Sequence, residues 1–370
     1  MHTTHIETVV IGAGQAGLAT GHHLQTAGRK FVILDAASRV GDQWRRQWDT
    51  LRLYSPAKYD GLPGMPFPAR PWSFPGKDAV ADYLEAYAAK FSLPIRFDTR
   101  VTGLDPHPGG GYTVTTQRAT FTCDNVVVAT GTFGRTPRLP DFADQLDPGI
   151  LQLHSSEYRR PGQLRDGPVL VVGASHSGTD IAYEVAQTHP TLLAGRDCGQ
   201  IPIRIEKPVG RMMFPLIVFA WRHVLTRRTP IGRKVMPEVR FHGGPMIRVK
   251  RSDLAARGVE RATDRVTGVR GGLPVVGDEV RDVANVVWAT GFRQTLEWIH
   301  LPILGDDGWP TEMRGVVEKA PGLFFCGLAF QFAFSSMVLP GVGRDAEFLA
   351  RQIVRRAAQP QRAPRPARAA

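Results

Sequence analysis

Two glycine-rich turns, Gly12-Ala13-Gly14-Gln15-Ala16-Gly17 and Gly173-Ala174-Ser175-His176-Ser177-Gly178, begin 161 residues apart in a chain of 370. Each follows an apolar run that reads as a buried strand, Thr8–Ile11 before the first and Val169–Val172 before the second. A strand that turns tightly into a helix needs a first glycine free of β-carbon clash. A second lets the main chain approach a pyrophosphate, and a third lets helix pack on strand. The unpaired N–H groups of the helix's first turn then face the negative charge. One such turn is a weak signal. Two imply two dinucleotides on one polypeptide, an arrangement suited to passing a hydride from a nicotinamide to a flavin. Ser175 holds the middle glycine position of the second turn, a small substitute that keeps a donor.

The residues beyond each turn assign the ligands. After the first, Phe31–Leu34 reads as a second strand and ends in Asp35, 21 residues past Gly14. A carboxylate there accepts ribose hydroxyls and repels a 2′-phosphate, which suits FAD or NAD. After the second, Thr191–Ala194 ends in Gly195-Arg196, a cation in the acid's place. A guanidinium can fork onto a 2′-phosphate, so NADPH is favoured there. The other reading of Arg196 is a solvated arginine in a basic stretch.

The predicted fold is α/β: two Rossmann-like dinucleotide-binding domains, the NADP domain inserted into the FAD domain, each a parallel sheet with a small antiparallel sheet. Residues 1–160 are expected to form the first part of the FAD domain and 161–292 the NAD(P) domain. Residues 293–354 return to the FAD domain, and 355–370 form a disordered Arg/Pro/Ala tail. The helical spacing of 78–91 puts Val80, Leu84, Tyr87, Ala88 and Phe91 on one face. Short strands near 95–97, 112–114 and 121–123 suggest the small sheet, and 137–168, rich in Pro and Gly, reads as the crossing. Ala129-Thr130-Gly131 and Ala289-Thr290-Gly291 repeat one strand-then-turn device per domain, and 341–345 is expected to open the last helix.

Composition points to a cytoplasmic enzyme. No stretch is long and apolar enough for a bilayer span, and the N terminus runs almost directly into the first strand. Cys123, Cys198 and Cys326 are too few and too scattered for a disulfide framework, a zinc site or a CxxC pair. The charge is uneven. Residues 201–251 hold twelve Lys and Arg against Glu206 and Glu238, a net of +10 out of the chain's +12. This segment also carries the apolar run 214–221. An insertion packed on the protein is the leading reading, followed by a peripheral membrane contact. Nucleic acid is disfavoured because no binding motif accompanies the charge.

The glycine turns, the two Ala-Thr-Gly turns, Gly41-Asp42-Gln43-Trp44, Phe74-Pro75-Gly76-Lys77-Asp78 before an aromatic helix, and the closing glycines resemble class B flavin-dependent monooxygenases. Among these the chain is most similar to small flavin-containing monooxygenases and YUCCA-type enzymes. The resemblance implies that Gly12, Gly14, Gln15, Ala16, Gly17 and Asp35 hold FAD, with Ala129 and Gly131 beside them. Gln43 and Trp44 would lie near the flavin, the Val101 backbone would meet the adenine, and Gly327 with the Gly343/Asp345 helix start would face the flavin from the other side. Gly173, Ser175, His176, Ser177, Gly178, Arg196, Thr290 and Gly291 would hold NADPH. Three departures stand out. The family's identifying stretch survives in its second half, His154 to Tyr158, with Pro148 and Ile150 in place of Phe and Gly. Tyr54 replaces an asparagine carried by animal members, and Asp42, near a phosphate, must turn to solvent. Tyr54, His154 and Tyr158 are the candidate catalytic residues.

The activity implied is NADPH-driven reduction of FAD, addition of molecular oxygen at flavin C4a, and oxygenation by that hydroperoxide of a small, mainly apolar amine, sulfide, ketone or 2-oxo acid. An NAD(P)H-dependent flavin oxidase or reductase is the alternative, and a flavin-binding regulatory protein the non-enzymatic one. Neither a metal site nor a hydrolytic triad is expected. Oligomeric state is left open.

Overall fold

Four-residue runs of largely β-branched and aliphatic side chains, buried on both faces, build the two main sheets. The computed structural model describes residues 3–132 and 136–358. The first half contains strand β1 (Thr8–Ile11), helix α1 (Gln15–Thr26), β2 (Phe31–Leu34), α2 (Lys77–Lys90) and β3 (Asn125–Val128). The second contains β4 (Leu151–His154), β5 (Val169–Val172), α3 (His176–Val185), β6 (Thr191–Ala194), α4 (Pro208–Phe219), α5 (Pro230–Phe241) and β7 (Asn285–Trp288). Strand β8 (Leu323–Phe325) and helix α6 (Leu339–Ala357) close the chain's described part.

The two halves repeat one plan. The first sheet runs β8-β3-β1-β2-(Ile95–Arg96) and the second β4-β7-β5-β6-(Glu260–Ala262), with every pair parallel. Even the register repeats: Thr8 faces Asn125 in one sheet and Val169 faces Asn285 in the other. A smaller sheet, mainly antiparallel, accompanies each, one built around Val101–Pro106, Tyr112–Thr116 and Thr120–Cys123, the other from Val266–Arg270, Leu273–Val276 and Glu279–Val280. The α/β plan read from the sequence is the plan observed. The two crossings pair with each other as an antiparallel ribbon, Thr136–Pro137 against Phe292–Arg293.

Some local expectations need correction. Ile95–Arg96 extends the first parallel sheet, not the small one, because its backbone pairs with Ile33 and Leu34. The Pro- and Gly-rich crossing contains β4, the edge strand of the second sheet, so that sheet begins before its glycine turn. The last helix opens at Leu339, ahead of 341, and runs through Arg355 and Arg356 to Ala357, which makes the first tail residues helical; residues 359–370 of the tail lie outside the described residues.

The basic segment is an insertion packed on the protein. Helix α4 continues into a π-helical turn over Ala220–Val224, and its inner face buries Phe214 and Val218 against Tyr59, Trp72 and Phe74. Much of the charge is used internally. Arg227 meets the buried Glu312 at 2.5 Å and Arg240 meets it at 3.5 Å, while Arg204 pairs with Asp253 and Arg251 with Asp197.

Candidate functional site

Strand β1 delivers Gly12 into its turn at φ +109°, where an added Cβ would stand 2.7 Å from the Ala129 carbonyl oxygen. A Cβ on Gly17 would stand 1.8 Å from the Gly12 carbonyl oxygen, so α1 can cross the strand end only with that position bare. Gly14 is different. It precedes α1 in extended backbone, no side chain caps the helix, and a Cβ there would meet nothing within 4 Å. That open space, faced by the first-turn N–H groups of Gln15, Ala16 and Gly17, is a cradle that fits a pyrophosphate. Asp35 is fixed beside it: its carboxylate accepts the Ala13 N–H at 2.5 Å and the Ala37 N–H at 2.7 Å.

Around this cradle, Gly131 takes φ +74° with open space at its α-carbon. Gln15 donates through Nε2 to the Met337 carbonyl at 3.0 Å, and Gly327, at φ +86°, packs on Ala16. Gly343 lies inside α6, where a Cβ would press on Pro63 at 2.7 Å. Asp345 is in the second turn of α6, not at its start; its buried carboxylate lies 3.6 Å from Arg314 Nε and is pushed up by burial. Val101 opens an edge strand of the small sheet, and Trp44 packs against the cores of both halves. Gln43, in the single helical turn Asp42–Arg45, accepts Gln47 Nε2 at its carbonyl. Asp42 is not turned alone to solvent. Arg45 holds it at 3.3 Å together with Asp82 and Glu85.

The second cradle copies the first in its backbone and differs in its cover. Gly173 has φ +108° with the Ala289 carbonyl 2.4 Å from a Cβ position, and Gly178 would strike the Gly173 carbonyl at 1.7 Å. Gly291 takes φ +80°, as Gly131 does, and the Thr290 hydroxyl donates to the Arg138 carbonyl. The turn at Gly243 and Gly244, however, sits on this cradle. Ser175 Oγ donates to the Gly244 carbonyl at 2.9 Å, and the His176 ring lies under Gly244, 2.6 Å from where its Cβ would be. The donor expected to be free at Ser175 is therefore engaged. Burial pulls His176 down to about 4, so the ring is neutral. Ser177 follows in the first turn of α3. Arg196, just past β6, points both Nη atoms at Glu238 Oε2 of α5 at 3.4 Å, and Nη2 also reaches the His242 carbonyl.

Of the three catalytic candidates, Tyr54 bonds across the halves, while His154 and Tyr158 find their polar partners within the second. Tyr54, half-buried against the His176 ring, donates to Asp180 Oδ2 at 2.9 Å, and Arg248 donates to the same oxygen at 2.8 Å. One turn on along α3, Glu184 accepts the Thr50 hydroxyl at 2.9 Å and faces Tyr158. Burial raises the Asp180 and Glu184 carboxyls and the Tyr54 and Tyr158 phenols. His154 is buried at the end of β4, 3.0 Å from the Gly291 carbonyl through Nε2, which carries the proton because a carbonyl only accepts. Nδ1 meets Ser156 Oγ at 2.8 Å, and burial keeps the ring neutral by lowering its pKa.

A family profile described as pyridine nucleotide-disulphide oxidoreductase matches residues 9–194, from β1 to the end of β6. The chain is 35% identical over 352 residues to an oxidoreductase of Geobacillus kaustophilus described as CzcO-like, across 94% of this chain and 98% of the relative. It is 30% identical over 228 residues to indole-3-pyruvate monooxygenase YUCCA1 of Oryza sativa subsp. japonica, across 60% of this chain and 54% of that protein. The solved flavin-containing monooxygenase from Stenotrophomonas maltophilia superposes with a TM-score of 0.75 at 27% identity, covering 96% of this chain and 100% of that one. The chain belongs to the class B flavin-dependent monooxygenase family.

This family member is an oxidoreductase without a thiol pair, whatever the profile's description. Cys123, Cys198 and Cys326 are all free, and burial pushes the Cys123 and Cys326 thiols up to about 12. Among the described residues no cluster of His, Cys, Asp or Glu could hold a metal, and no helix is long and apolar enough to cross a membrane. Sequence reasoning missed Asp180, Glu184, Arg248, Glu238 and Glu312. Asp180 and Glu184 left one signal, two acids four apart on one face of the helix that follows the second glycine turn. Arg248, Glu238 and Glu312 left none, since their partners come from distant segments.

Proposed function

We propose that this protein binds FAD in the first cradle and NADPH in the second, and oxygenates a small, mainly apolar organic molecule such as an amine, sulfide, ketone or 2-oxo acid. One observation carries the reading: two helix N termini without a side-chain cap, the first open and the second covered by the Gly243/Gly244 turn, stand on two sheets of the same strand plan and register. FAD suits the first because Gly14 leaves space and Asp35 stands beside it. NADPH suits the second because Arg196 ends β6. When bound beside Gly14 and Asp35, FAD would supply the redox and oxygen-activating chemistry, and NADPH beside Arg196 the hydride, as the family resemblance implies.

The chain's own part is to bind, orient and exclude water. Arg227 and Arg240, both anchored on Glu312, donate to the carbonyls of Gln331 and Ala329 at 3.0 Å, and so hold the buried loop that follows Gly327. Phe330 in that loop is fully buried at φ +52°, a conformation a bulky residue keeps only when its surroundings enforce it.

One observation favours oxidase or reductase chemistry instead. Tyr54, in the place of the asparagine that animal members carry beside the flavin, has its hydroxyl tied to Asp180. Rapid mixing separates the two readings. The FAD-loaded protein is reduced with NADPH under anaerobic conditions and then mixed with oxygen. A long-lived transient absorbance before reoxidation supports oxygenation, whereas immediate return of oxidised flavin with stoichiometric hydrogen peroxide supports the oxidase. A colourless protein that takes up no FAD would defeat both.

A further inference from the structure

Seven of the thirteen exposed large apolar side chains among the described residues fall between Val209 and Ile231. Five of them, Val209, Met212, Met213, Leu216 and Phe219, lie on α4. At about 100° per residue they gather on one arc about 120° wide, opposite the buried Gly210, Phe214 and Val218. Met212 is 74% exposed and Leu216 68%. A helix on a globular protein turns one apolar stripe to its core. Helix α4 has that stripe and a second one facing out.

The charge around the outer stripe says what would cover it. Lys207, Arg211 and Lys234 are exposed and form no ion pair among the described residues. The segment 201–251 offers only Glu206 and Glu238 as acids, and Glu238 already faces Arg196. A two-fold contact with a second copy would bring this cationic rim against itself. A stable interface also buries about 800 Å² per partner, well beyond five side chains of one helix. An anionic bilayer answers both features, its headgroups meeting the cations and its interfacial zone taking the stripe.

We propose that α4 docks this protein on an anionic phospholipid surface through Val209, Met212, Leu216 and Phe219, with Lys207 and Arg211 on the headgroups. The inner side of α4 packs on Tyr59, and Tyr59 with Arg222, Leu62 and Met65 lines an open cavity of about 510 Å³.

The test is flotation of the full-length, FAD-loaded protein with vesicles of phosphatidylcholine alone or with about one third phosphatidylglycerol. Binding is expected only to the anionic vesicles and should weaken as salt rises. Leu216→Asp and Met212→Asp, both at exposed positions, should each lower the bound fraction about tenfold while circular dichroism and NADPH oxidation in solution stay unchanged. Lys207→Glu/Arg211→Glu should do the same at low salt. Three results would overturn the proposal: no binding to either vesicle, binding indifferent to Leu216→Asp, or a concentration-dependent dimer that Leu216→Asp dissolves. The last would assign the stripe to a second copy.

Discussion

At the scale of single side chains, Arg196 and Glu238 are the proposed determinants of coenzyme choice. Their contacts of 3.4 Å are long for a charge-assisted bond, which is nearer 2.7–2.9 Å, and both side chains are substantially exposed. A 2′-phosphate must displace the Glu238 carboxylate to reach the guanidinium. Arg196→Ala should therefore raise the KM for NADPH about tenfold or more with a much smaller effect on NADH. Glu238→Gln should lower the KM for NADPH and leave NADH little changed. Steady-state kinetics with both coenzymes checks this, and equal effects on the two would rule out the phosphate clamp. The glycines allow a second test. Gly14→Val meets open space, so the variant should fold with its usual melting temperature and lose FAD, read as the ratio of flavin to protein absorbance. Gly12→Val places a Cβ 2.7 Å from the Ala129 carbonyl oxygen in a positive-φ turn, and should lose stability as well as flavin. If Gly14→Val kept a full complement of FAD, the first cradle would not be the pyrophosphate site.

At the scale of elements, helices α4 and α5 form a strap tied down by the ion triad of Arg227, Glu312 and Arg240. Glu312 and Arg240 are almost completely buried and Arg227 largely so. Glu312→Ala would leave two cations without their partner, and urea unfolding should show a loss of about 3–5 kcal/mol. A loss below about 1 kcal/mol would mean that the strap is held by its apolar contacts alone. This triad also shows where reading the sequence stops. The strands and helices around the glycine turns were legible because local signals agree there: an apolar run, a glycine forced by a steric clash, and a periodic helix. The inserted fold plan followed from the order of those signals. Glu312 lies 85 residues from Arg227 and 72 from Arg240, so no window of sequence contains the interaction. Ser175 and Tyr54 illustrate the same limit. Their residue types were readable, but the Gly244 carbonyl and the Asp180 carboxylate that engage them were not. Strand β4 was missed for another reason: four residues in a Pro- and Gly-rich stretch carry too little periodicity to stand out.

For the whole molecule, burial of carboxyl groups sets the pH dependence of stability. Asp180, Glu184, Glu312 and Asp345 are all raised by burial, and Asp60 is raised to about 7. Asp60 is the cleanest probe. It has no exposed surface, its partner Ser55 donates to Oδ1 at 2.5 Å, and the neighbouring Tyr83 phenol is itself pushed up to about 12. Its folded pKa lies above its unfolded one, so between the two the folded state binds the extra proton, and stability must fall as pH rises. The penalty is absent below about pH 4, grows until pH reaches the folded value of about 7, and is constant above that. Asp60→Asn keeps the shape and removes the titration. Relative to the parent, it should match at pH 4 and gain on the order of 2–4 kcal/mol by pH 7, with no further gain at pH 8. Chemical denaturation of both proteins from pH 4 to 8 measures the difference directly. A difference that does not change across that range would mean Asp60 is ionised in the fold, and its carboxylate would then need a cation that its surroundings of Ser55 and Tyr83 do not supply.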